Sequence, residues 1–177
     1  MKKSELKSMP EYFDRYININ DDADHLVALE TSLNELKTLP IEKLNKLGDQ
    51  IYEPGKWTIK DIFQHLIDAE RVFAYRSTAF ARGDQQQMLS FDENLFAQNA
   101  QTNLRNLNDL VEELTILRQS SIAQYKSYSN QMLQNEGTGY NGIKYSVLAI
   151  GFIIPGHQRW HMSIIEQRYF PLLLGNL

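Results

Sequence analysis

Four stretches of this chain repeat apolar residues at spacings of three and four, and that repeat leaves few folds open to it. Leu26, Leu29, Leu33 and Leu36 mark the first stretch. Ile59, Ile62, Phe63, Leu66, Ala69, Phe73 and Phe80 mark the second, and Leu104, Leu107, Val111, Leu114, Ile122 and Tyr125 the third. Val147, Ile150, Ile154 and Ile164 mark the last. At 3.6 residues per turn each set falls on one face, the signature of an amphipathic helix. No segment alternates for long enough to argue for a sheet. The expected fold class is therefore all-α, a four-helix bundle with short extra helices in its loops. The 177 residues fit one domain over 1–177, long enough to bury a substantial core.

Turn and cap residues set the boundaries. Asp21 or Asp22 is placed to cap a helix running to about residue 37, and Pro40 then redirects the chain into a short helix over 41–47. Pro54-Gly55 reads as a bend, and Thr58 with Asp61 three residues on reads as the cap of a helix reaching about residue 82. Residues 84–100 read as a loop holding one short helix opened near Ser90. The third long helix covers roughly 102–128, and 129–142, rich in Asn, Gln and Gly, reads as loop. The last helix runs from about 146 to 168 or 169, with Pro155 predicting a kink that Gly151 and Gly156 would ease. The aromatic residues Tyr12, Phe13 and Tyr16 predict a short helix or arm lying on the body.

Composition excludes several roles. Eighteen basic and 22 acidic residues give a net charge of −4, with no dense Lys/Arg run, so a nucleic-acid partner is not expected. There is no cysteine, hence no disulfide, thiolate ligand or cysteine nucleophile. The start has basic residues but no apolar core of a signal, and the longest apolar run, 147–155, is too short to span a bilayer. The expectation is a cytoplasmic protein with no membrane partner.

Chemistry concentrates in histidine. The chain has four: His25, His65, His157 and His161. His157 and His161 are four apart, so a helix projects both from one side, and that side is the apolar one. His65 lies at the flank of the apolar face of the second long helix. Three imidazoles brought together would form a nitrogen cup open on one side, the ligand set of a catalytic divalent ion with a free position. The competing reading is a pair of hydrogen-bonded core histidines. Buried neutral imidazoles without a shared cation are hard to satisfy, because each ring carries both a donor and an acceptor. His25, near the first helix start, reads as a surface or capping residue. The segment lacks the Glu of a His-Glu-x-x-His protease helix and the Glu-x-x-His pairs of a di-iron bundle.

The run Trp57-Thr58 through His65-Leu66-Ile67-Asp68, followed far downstream by His157-Gln158-Arg159-Trp160-His161, resembles the DinB/YfiT-like superfamily in order and spacing. That resemblance implies a four-helix bundle, often a homodimer, holding one divalent metal, zinc or nickel, on His65, His157 and His161. It also implies an enzyme acting on a small-molecule substrate, as a thiol S-transferase using a low-molecular-weight thiol or as a hydrolase. The alternative is a non-catalytic, stress-related metal-binding bundle. Fold membership does not fix the reaction.

Carboxylates near the cup are candidates for a base or for orienting an imidazole. Asp61 and Asp68 flank His65 on the helix wheel; Glu70 points away and reads as the partner of an Arg or Lys. Arg76, Arg159 and Arg168 are candidates for binding an anionic substrate, with surface ion pairing favoured for Arg159. Trp57 reads as a packing anchor, and the loop from 83 to 101 as a segment overhanging the site.

Overall fold

Capping chemistry sets where the helices begin. The computed structural model describes residues 1–174. A single turn, α1 (Asp14–Ile17), comes first, and Phe13, Tyr16 and Ile17 are buried, so the aromatic arm does lie on the body. The first long helix, α2 (His25–Lys37), is opened by Asp24, whose carboxylate accepts from the Leu26 amide at 2.9 Å. The cap thus falls slightly later than Asp21 or Asp22, because Asp22 instead accepts from the Ser4 amide. Next come α3 (Ile41–Leu47) and α4 (Ile59–Ala81), the latter begun by a reciprocal cap between Thr58 and Asp61. In the loop beyond, Asp92 rather than Ser90 caps α5 (Glu93–Asn99).

The third long helix, α6 (Leu107–Lys126), starts later than its apolar pattern suggests, since Asn106 caps it and residues 102–104 form a separate turn. The stretch read as plain loop holds α7 (Asn130–Gln134) and one strand of a small antiparallel hairpin, β1 (Glu136–Thr138) with β2 (Lys144–Ser146). Three-residue strands are too short to show an alternating pattern in sequence. The last helix, α8 (Val147–Ile164), continues as a π turn to Tyr169 and ends at the Pro171 turn.

Helix α8 runs unbroken through Pro155. Gly156 also permits a close approach: a Cβ there would lie 1.9 Å from the Tyr16 carbonyl oxygen. Asn20 sits at the same contact and donates to the Phe152 carbonyl at 2.9 Å, fastening the arm to α8.

The four long helices close a ring in which α4 touches α6 and α8, and α2 touches the same two. The first and second of the four, α2 and α4, therefore stand diagonally, as do the third and fourth, α6 and α8, while α4 and α6 are neighbours. Two apolar cores fill the ring. One gathers Phe73, Phe80, Tyr125, Tyr145 and Ile150; the other gathers Leu36, Phe63, Leu66, Leu110 and Ile165. All four long helices also contribute to a buried polar layer: Ser32, Glu70, Arg118, Ser121 and Gln158. Among the described residues no helix is long and apolar enough to cross a membrane.

Candidate metal centre

The cap at Thr58 fixes the first turn of α4. The Thr58 amide donates to Asp61 at 2.9 Å, and the Asp61 amide donates back to the Thr58 hydroxyl at 3.2 Å. His65 follows one turn later on the side facing α8. Across from it, α8 is clamped to α2: Gln158 donates to the Ser32 carbonyl at 3.0 Å, and Arg159 pairs with Glu35 at 2.9 Å. These two residues lie between His157 and His161, so the clamp sets the direction of both imidazoles.

The three rings converge. His157 Nε2 lies 3.1 Å from His65 Nε2 and 3.0 Å from His161 Nε2, and one ligand nitrogen from each ring falls within 4.8 Å of the others. His65 and His157 are buried, and His161 is partly covered. Aromatic rings hold them. Trp57 lies 4.8 Å from His65 and stacks on His161 at an interplanar angle of 21°, while Tyr16 meets His157 edge-on at 5.0 Å.

All three imidazoles stay neutral at physiological pH. Burial lowers His65 to about 4. Burial, and then repulsion from His65, lowers His161 to about 3. His157 is held well below its ordinary value, by burial first and then by its two neighbours. Three lone-pair donors thus face one another in a site that will not accept their protons. A tetrahedral ion with bonds of about 2.0–2.1 Å sets its nitrogens roughly 3.3 Å apart, close to the two spacings that His157 makes. The donor set fits a divalent cation.

A cavity of about 270 Å³ opens on His65 and His157 and is walled by Phe13, Tyr16, Phe73 and Phe91. Phe91, Asp92 and Glu93 bring the 83–101 segment to its mouth, as the overhanging-loop expectation had it. Burial raises the Tyr16 phenol well above its usual value, so it offers a hydroxyl and not a phenolate.

The other sequence candidates lie elsewhere. Asp61 accepts from Thr58 and Thr102 as part of the cap. Asp68 accepts from Gln64 at 3.0 Å and faces a separate surface hollow with Leu95, Phe96 and Arg105. Among the described residues neither carboxylate hydrogen-bonds one of the three imidazoles. Glu70 pairs with Arg118, buried rather than at the surface. Arg159 pairs with Glu35, Arg168 is exposed, and Arg76 lines the cavity. His25 is a correction: it is buried, its ring 5.9 Å from that of Tyr125, and it stands outside the histidine group. Sequence reasoning did not assign cavity walls to Phe13, Tyr16 and Phe73; the docking of the arm on α8 is a tertiary event with no local signal.

Comparison with known proteins gives one family and one fold. The family model described as the DinB superfamily matches residues 27–165. A solved structure of YfiT from Bacillus subtilis, described as a probable metal-dependent hydrolase with an unusual four-helix bundle topology, superposes with a TM-score of 0.66. It is 16% identical, and the match covers 97% of this chain and 91% of YfiT. No curated protein matches.

Proposed function

The chain belongs to the DinB superfamily, and from that premise we propose that it is a mononuclear metal-dependent enzyme acting on a small molecule. His65, His157 and His161 would hold the ion, zinc or nickel. The observation that carries this reading is the convergence of three neutral Nε2 atoms beside an aromatic cavity. When bound, such an ion supplies Lewis acidity and lowers the pKa of a water or thiol toward neutrality.

The chain's own residues supply the rest. The α4 cap and the Gln158–Arg159 clamp hold the donors in place before any ion arrives, so little reorganisation is needed. Phe13, Phe73 and Phe91 exclude water from one side of the site and offer an apolar surface to substrate. The Tyr16 hydroxyl stays protonated there, beside Tyr12 on the cavity wall. Hydrolysis comes first among the reactions, because the structurally similar YfiT is described as a hydrolase. Transfer of a low-molecular-weight thiol comes second, the sulfur being external because the chain has no cysteine.

The test has two stages. Elemental analysis of purified protein, native and after zinc or nickel addition, should find one ion per chain, and His157→Ala should lose it. The parent protein should then cleave esters or amides, or conjugate thiols, with activity lost in the same variant. An ion without turnover across both panels would leave a non-catalytic metal-binding bundle. No ion under any condition would remove the basis of the proposal.

A further inference from the structure

Two arginines are almost wholly buried, and they are treated differently. Arg118 is 1% exposed and spends its charge on Glu70. Arg76 is 3% exposed, yet among the described residues no carboxylate pairs with it. Its contacts are two neutral oxygens: Nη1 donates to the Tyr145 hydroxyl at 3.1 Å and Nη2 to the Leu89 carbonyl at 2.6 Å. A guanidinium carries five N–H donors, so three remain. A buried charge without a counter-ion is strongly disfavoured, and a fold that keeps one implies an anion from outside.

The position of Arg76 says where that anion belongs. His65, Ala69, Phe73 and Arg76 follow one another on the cavity-facing side of α4, and all four line the same cavity. Eleven residues separate His65 from Arg76, about 16 Å along the helix axis. Side chains on a helix lean toward its N-terminus, so guanidinium and imidazole shift the same way and the two ends of the cavity stay well apart. Phe13, Phe73 and Phe91 wall the space between. The acidic groups are at the rim: Asp92 accepts from the Asn94 and Leu95 amides, and Glu93 is exposed. An anionic group is therefore favoured at the Arg76 end and not at the mouth.

We propose that Arg76 is a substrate-recognition residue and that the substrate is an apolar-bodied molecule bearing a carboxylate at the end remote from the reacting group. This deepens, and rests on, the metal-site reading. A planar carboxylate matches the guanidinium fork and can replace water on the free N–H groups.

The probes are ω-mercaptooctanoate and its neutral amide, which present the same thiol to the metal end and differ only at the other. Calorimetric titration of zinc-loaded protein should show the acid binding about tenfold or more tighter than the amide, the margin of a charge-assisted pair. Arg76→Gln should abolish that preference, and Arg76→Lys should keep part of it; zinc affinity, measured by chelator competition, should be unchanged in both. Equal binding of acid and amide to the parent protein overturns the proposal without any variant. So does a preference that survives Arg76→Gln, which would place the anion on another cation. If the parent fails to bind zinc, the metal reading fails instead, and the two failures are distinct.

Discussion

Two buried polar clusters stand side by side in this bundle and are built on opposite rules. In the Glu70–Arg118 layer every charge has its complement: Arg118 Nε and Nη2 each donate to Glu70 at 2.9 Å, Ser121 donates to Glu70 at 2.8 Å, and Arg118 also reaches Ser32. In the histidine cluster like faces like, with three neutral nitrogens pointing at a common space. The ion pair at the heart of the first cluster is closed within the protein, and its removal should register as lost stability. The second is open, and its removal should register as lost ligand. Satisfaction, and not burial or polarity, separates a structural polar group from a functional one.

The largest effect should come from breaking the closed cluster. Glu70→Ala leaves Arg118 buried and uncompensated, and urea unfolding should show a loss of about 3–5 kcal/mol. Zinc stoichiometry should stay at one. If the variant is as stable as the parent, or loses its metal first, the division between the clusters fails.

A smaller loss should follow from crowding the contact that carries the second cluster. Gly156→Ala drives a Cβ into the Tyr16 backbone, which cannot give way as a flexible side chain would. The cost should be about 1–3 kcal/mol in thermal or chemical unfolding. It should also loosen the arm, raising protease cleavage between residues 10 and 20.

Acid should separate the clusters without mutation. The folded-state values of His65 and His161, about 4 and about 3, lie below the ordinary 6.5. The unfolded chain therefore takes up protons first as pH falls. Stability of the metal-free protein is complete above that ordinary value and drains below it, by about 1.4 kcal/mol per pH unit for each histidine. A metal-free stability curve that is flat from pH 6.5 down to 4 would contradict the geometry. The same protons compete with the ion, so zinc affinity should fall over the same range.

The smallest effect probes the clamp. Gln158→Leu removes the bond to Ser32 but touches no ligand, and zinc affinity should fall about tenfold through misdirected imidazoles. An unchanged affinity would show that Arg159 with Glu35 holds the turn alone.

The helices were legible because their apolar stripes are long and periodic, and α3, both ends of α4, the start of α8 and, with its π turn counted, its end agree with sequence reasoning to within a residue or so. The family resemblance was legible for a related reason: two short motifs fall on those same helices. What local pattern does not encode is contact. Nothing near His25 announces that Tyr125 will cover it, and nothing near Gly156 announces the Tyr16 carbonyl. Nor does any local pattern announce that Asn20 will fasten the arm to α8 beside Pro155. The hairpin and α7 escaped because polar segments of three to five residues carry too few periods to read.

The pairing of α4 with the distant α8 has an outcome during synthesis. Ninety-two positions separate the histidine contributed by α4 from its nearest mate on α8. Three of the four long helices can leave the ribosome before the second half of the ligand set exists. An ion held by all three rings would therefore require α8 to be seated in its slot, which would make metal content a built-in reporter of completed bundle assembly.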